Sequence, residues 1–104
     1  KASAGGEHEE WTTLYPEFAR IAREEGFEQV AVLWDKVCNA EKQHEKRYLA
    51  LWNNLSEGKV FKREGVVVWR CINCGFLHEA KDAPKLCPAC LHPQSFFELL
   101  GENW

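Results

Sequence analysis

A mainly α-helical chain ending in a small β ribbon is predicted by three observations on these 104 residues. Apolar side chains recur at three- and four-residue steps through residues 7–25 and again through 28–56, the spacing of one helix face. Gly26, a residue free to take the left-handed turn conformation, separates the two runs. Beyond Gly58 the pattern changes to extended chain, and four cysteines follow as two C-x2-C pairs. The expected layout is a helical hairpin over residues 1–57 and a cysteine-bearing ribbon over 58–104.

The first helix carries Trp11, Leu14, Phe18 and Ile21 on one face. Pro16 lies inside it and should kink it, because its nitrogen has no hydrogen to give the helical ladder. The second helix carries Val30, Leu33, Trp34, Val37 and Cys38, then Tyr48, Leu51, Trp52 and Leu55. Cys38 reads as a small buried hydrophobe. A lone hairpin exposes such a stripe, and leaving it in water is costly. The hairpin is therefore expected to need a partner, either a second copy or further sequence. No methionine is present, so Lys1 is not expected to be the start of translation.

Residues 58–70, GKVFKREGVVVWR, read as extended chain leading into Cys71, Cys74, Cys87 and Cys90. The spacing C-x2-C-x12-C-x2-C places four thiolates at the corners of a tetrahedron, which suits zinc or a single iron. Disulfides are the alternative, but no secretory signal accompanies the cysteines, and a reducing cytoplasm fits them better. Gly75 lets the chain turn about the metal. His78 and His92 are not needed as ligands and are expected to shield or tune the site. Trp69, Phe96, Phe97 and Trp104 are expected to pack around the ribbon.

Composition excludes several function classes. The formal charge is −3, with 13 Lys and Arg interspersed among 16 Asp and Glu, so no basic footprint for nucleic acid exists. No run approaches the roughly 20 apolar residues of a membrane span.

Glu41 and His44 form E-x-x-H, which puts both on one helix face, and that face is the apolar one. Glu7 and Glu10 repeat the spacing on the first helix. Carboxylates on a core-facing stripe are costly unless paired or metal-bound. Glu10 lies 16 residues before Gly26 and Glu41 lies 15 after it, so both should stand about 22–24 Å from the turn and face each other. Solvated helix residues are the competing reading. Four-helix di-iron proteins use one Glu from each of two helices and Glu-x-x-His from each of the other two. His8 points off the acidic face and should be solvated.

The segments GEHEEWTTLYPEFARIAREEGF and AEKQHEKRY, with the tail from VVVWRC to GENW, resemble the C-terminal half of rubrerythrin across essentially the whole chain. The resemblance implies half of a ferritin-like four-helix bundle, a helical hairpin, followed by a rubredoxin-like domain. It implies Glu7, Glu10, Glu41 and His44 as di-iron ligands, with Tyr15 close behind them. It implies Cys71, Cys74, Cys87 and Cys90 as ligands of a mononuclear iron. The family's preceding hairpin has no counterpart here, so a fragment, or a bundle built from two copies, is expected. The implied activity is a cytoplasmic peroxidase that reduces hydrogen peroxide to water and protects against oxidative stress. A reductase or rubredoxin would donate its electrons, and head-to-tail homodimers would pass them between chains. A structural zinc ribbon and an iron-oxidising storage protein are the competing functions, with zinc a possible substitute metal.

Overall fold

Two antiparallel helical arms form around Gly26, and their caps show why the chain turns there. The computed structural model describes residues 1–104. Helix α1 spans Ala2–Glu9, a π-helical turn follows over Glu10–Leu14, and α2 continues over Tyr15–Glu24. The Tyr15 N–H reaches back to the Glu10 carbonyl, the longer π-type bond. The widened turn lies directly before Pro16, whose ring would clash with the carbonyl four residues before it in a regular helix. Gly26, at φ 84°, ends the arm. Its N–H bonds the Arg23 carbonyl at 3.1 Å, and the Phe27 N–H bonds the Ala22 carbonyl at 2.8 Å. Those two bonds close a Schellman cap. Helix α3 then runs over Glu28–Ser56 and ends in the same way. Gly58, at φ 67°, bonds Leu55, and Lys59 bonds Asn54.

The two arms meet through small residues. Ala19, Ala22 and Ala31 are buried against one another, with Trp34 packed over them. Cys38 is buried on α3, as its place in the stripe implied. The bulky stripe does not form this contact: Leu14, Phe18, Ile21, Val30, Leu33, Leu51 and Leu55 all remain substantially exposed. Alanines bring the helix backbones close, and the large side chains are left on a second face.

The remaining unit is a three-stranded antiparallel sheet in the order β2-β1-β3. Strand β1 spans Lys62–Cys71, β2 spans Leu77–Asp82 and β3 spans Phe97–Leu99. Trp69 stands opposite His78 on one side and Leu99 on the other, and Cys71 stands opposite Phe97. The central strand thus delivers the first cysteine at its end. The core is Trp69, Cys71, Ala83, Cys87 and Phe97, with Phe61, Phe76 and Phe96 against it. The Trp69 indole N–H donates to the Ala80 carbonyl at 3.1 Å. Trp104, expected in this packing, is 95% exposed. The last backbone bond holding the tail joins the Leu100 N–H to the Val68 carbonyl, and nothing pins the chain after it to the sheet. The compact units are Lys1–Asn53 and Asn54–Trp104. No helix is long and apolar enough to cross a membrane.

Candidate metal centres

The four cysteines converge on one point from two matching turns. In the first, the Cys71 N–H bonds the Phe76 carbonyl at 2.9 Å and the Gly75 N–H bonds the Cys71 carbonyl at 2.8 Å. In the second, the Cys87 N–H bonds the His92 carbonyl at 2.8 Å and the Leu91 N–H bonds the Cys87 carbonyl at 2.9 Å. Gly75 sits at φ 84° and its counterpart Leu91 at φ 63°. The sequence reading identified the glycine but missed Leu91, whose equivalent offset from its C-x2-C pair was the available signal.

Sulfur spacing tests the fit of a metal. Cys71 Sγ lies 3.6 Å from Cys90 Sγ, and Cys74 Sγ lies 3.7 Å from Cys87 Sγ. A tetrahedral ion with bonds of about 2.3 Å sets its sulfurs about 3.8 Å apart. No cysteine is disulfide-bonded. Main-chain amides aid the outer pair. The His92 amide, ahead of an opposing burial effect and helped by the Asn73 side chain, pulls the Cys90 thiol down to about 6. The Phe76 amide acts the same way on Cys74, but burial and the three neighbouring thiols outweigh it and push that thiol up to about 12. Four crowded thiols cannot all ionise alone, whereas a bound cation deprotonates them together. Cys71 and Cys87 are fully buried and Cys74 is exposed, so the cluster has one open edge. His92 takes no ligand position: its ring lies against Phe96, with centroids 4.5 Å apart, and its Nδ1 is 3.3 Å from the Cys90 carbonyl. His78 lies beside Phe76.

A second group gathers in the hairpin. One ligand atom each from Glu7, Glu41 and His44 lies within 4.8 Å of the others. His44 Nδ1 is 2.6 Å from Glu41 Oε2 and 3.6 Å from Glu7 Oε2. Both carboxylates are largely buried, and Glu7 Oε2 has no hydrogen-bond partner. A buried carboxylate oxygen without a donor is costly, and a cation between the three groups would satisfy it. The same crowding raises the Glu7 pKa, first through burial and then through the adjacent Glu41 carboxyl, against a smaller opposing pull from His44.

Glu7, rather than Glu10, is the residue of the first arm that meets Glu41. Glu7 and Glu10 stand almost one helical turn apart on the same arm, and it is Glu7 that gathers with Glu41 and His44. Glu10 remains close enough to act on its neighbours: its charge contributes to the raised Glu7 pKa. Tyr15 is pushed up by burial, then by the charges of Glu10, Glu41 and Glu7, and by a hydrogen bond with Glu10. Its ring lies 4.8 Å from that of Trp34.

His8 is not simply solvated. Its Nδ1 is 3.0 Å from Glu45 Oε1, and the Trp11 indole donates to Glu45 Oε2 at 2.5 Å. Glu45 escaped the sequence reading, although its place one turn beyond Glu41 marked it.

A four-cysteine ribbon joined to a helical hairpin bearing a carboxylate–histidine cluster gives the chain two candidate metal-binding units of different chemistry. Comparison with known proteins gives the lineage. The family model described as Rubrerythrin matches residues 1–52, and the one described as Rubrerythrin, rubredoxin-like domain matches residues 69–98. The chain belongs to the rubrerythrin family, and its C-terminal unit is a rubredoxin-like domain. It is 57% identical over 103 residues to the rubrerythrin of Nitratidesulfovibrio vulgaris, covering 99% of this chain and 54% of that protein. It is 55% identical to rubrerythrin-1 of Clostridium acetobutylicum, with 99% and 53% covered. A structure titled as a partially reduced state of nigerythrin aligns with a TM-score of 0.50 at 30% identity, over 95% of this chain and 46% of that one. The chain spans about half the length of these relatives. Family and cysteine cluster together point to iron at the ribbon.

Proposed function

We propose that this chain is the electron-relay and half-site portion of a non-haem di-iron peroxidase that reduces hydrogen peroxide to water. The observation that carries the reading is the Glu7–Glu41–His44 cluster with its unpartnered buried oxygen. Glu7, Glu41 and His44 would hold iron, and Glu10, next to them in charge and sequence, would join as a further carboxylate. Iron held there in its ferrous state would supply the two electrons that cleavage of the O–O bond consumes. Three or four ligand groups cannot complete two iron sites, so the remainder come from another helical hairpin packed on the exposed apolar face. A second copy of this chain, or further sequence, would provide it. Tyr15, with its raised pKa, keeps its proton on Oη and can offer a hydrogen bond in the pocket. The four cysteines hold the one-electron iron, with Cys74 on the open edge where electrons enter from a reductase or a rubredoxin.

The test is metal content and absorbance on protein grown with iron. Two irons per completed carboxylate centre and one iron per four-cysteine site are expected. The reduced, colourless protein should regain its thiolate-to-iron colour on adding peroxide, with two electrons consumed per peroxide. A colourless protein holding only zinc overturns the reading. Iron at the cysteines alone would reduce the chain to a relay.

A further inference from the structure

We infer that Glu45 is a positioning residue for the carboxylate centre: it ties the first arm to α3 from outside, so that Glu7 and Glu41 are held together before any metal arrives. This rests on the carboxylate centre proposed above.

Glu7 and Glu41 bring carboxylates from two different helices to one largely buried place. Something must hold the two helices together at that level. The alanine contact at Ala19, Ala22 and Ala31 lies near the turn, far along the arms from Glu7. At the level of the ligands, Glu45 bridges the helices through both of its carboxylate oxygens. It accepts from His8 at 3.0 Å and from the Trp11 indole at 2.5 Å. His8 directly follows Glu7 and Trp11 directly follows Glu10. Glu45 lies one turn beyond Glu41 on α3. One carboxylate therefore grips the residues beside both acidic positions of the first arm.

The tie is built rather than incidental. Glu45 is 19% exposed, and each of its two oxygens faces a ring N–H of the first arm. The Trp11 ring is braced by Lys42, whose Nζ stands 4.9 Å from its centroid, and by the edge of His8 at 5.3 Å. Thr12 Oγ1 donates to the His8 carbonyl at 2.5 Å, fixing the backbone that presents His8. Groups that orient metal ligands from behind are worth 10- to 100-fold in affinity in other sites, by roughly the same logic.

The experiment titrates ferrous ion anaerobically into reduced protein already loaded at its cysteines, comparing wild type with Glu45→Ala, Glu45→Gln and Trp11→Phe. Glu45→Ala should weaken ferrous binding at the carboxylate centre about tenfold, with the cysteine-site absorbance unchanged. Glu45→Gln keeps an acceptor for the indole and should bind far closer to wild type. Trp11→Phe keeps the ring but removes the N–H, and should fall between them; it serves also if Glu45→Ala does not fold. Wild-type affinity in Glu45→Ala and Trp11→Phe, even with a lowered melting temperature, overturns the inference by leaving only a structural role. So does equal loss in Glu45→Gln and Glu45→Ala. If wild type itself takes up no ferrous ion at this centre, the carboxylate-centre reading falls, and the positioning role with it.

Discussion

Replacing Leu91 by glycine should strengthen the cysteine site, although it removes a side chain. Leu91 holds φ 63° in the turn that follows Cys90, where the matching turn after Cys74 has Gly75 at φ 84°. A side chain in the left-handed region costs roughly 1–2 kcal/mol, because Cβ crowds the following carbonyl. Glycine relieves that cost but returns roughly 0.5–1 kcal/mol through its greater freedom in the unfolded chain. Leu91 is 68% exposed, so its truncation gives up little packing. The net gain is about 0.5–1 kcal/mol. Folding of so small a ribbon is coupled to its metal, so the gain should appear as a two- to fivefold tighter apparent metal constant, to order of magnitude. Gly75→Ala should do the reverse by a similar amount. A Cβ at Gly75 meets no atom within 4 Å, so the backbone conformation alone sets the penalty. The double variant should lie near wild type. Competition against a chelator, read by the thiolate absorbance, measures all three. Weaker binding in Leu91→Gly, or no loss in Gly75→Ala, would refute the argument from backbone conformation.

Four further outcomes follow from the same geometry. Trp69 is 1% exposed and its indole bonds the Ala80 carbonyl. Trp69→Ala should cost about 3–5 kcal/mol by denaturant unfolding, and Trp69→Phe, which removes the indole's hydrogen bond, about 0.5–1.5 kcal/mol. Stripping the metal should melt the sheet, seen as loss of near-ultraviolet dichroism from Trp69, while far-ultraviolet helix signal from residues 2–56 persists. The raised Glu7 pKa means the folded metal-free hairpin binds that proton more tightly than the unfolded chain. Its contribution is therefore present below the ordinary value of 4.5 and is lost as pH rises through the higher folded value. Glu7→Gln should remove this decline from the melting temperature of the metal-free protein, and an unchanged pH profile would count against it. Glu17 and Glu45 have lowered pKa values, Glu17 chiefly through Arg20 and Glu45 chiefly through Trp11, so their stabilisation is lost at the acid end instead. A Glu45→Gln melt at low pH should show less of that acid loss than wild type.

How much the sequence revealed depended on how locally each feature is encoded. Helix α3 is bounded by glycine caps and carries an unbroken period, so its span over 28–56 was legible to the residue. The cysteine site was legible because each C-x2-C pair builds its own turn, and two such turns have few ways to meet. The inter-helix contact was not, because alanines leave almost no hydrophobic signal, and the eye follows the bulky stripe that in fact stays exposed. Trp104 failed for another reason: an aromatic side chain buries itself only where backbone bonds bring it, and those end at Leu100.

The carboxylate centre shows where sequence reading reaches its limit. The spacing put Glu7 and Glu10, and Glu41 and His44, on their helix faces, but which acid met which depended on the register between arms. The arm widens over Glu10–Leu14, just before Pro16, whose nitrogen has no hydrogen to give the ladder, and it is Glu7 that gathers with Glu41. The same widened turn carries Glu10, Trp11 and, next in the chain, Tyr15. An acid, the indole that Glu45 holds and the phenol beside the cluster thus all sit within six residues of Pro16. A Pro16→Ala variant should let regular helix return through residues 10–14. It should disturb the Trp11–Glu45 bond, visible in the indole N–H resonance, and weaken ferrous binding at the carboxylate centre while sparing the cysteine site. An unchanged indole resonance would mean that the neighbours of Pro16, rather than the proline, impose the π turn.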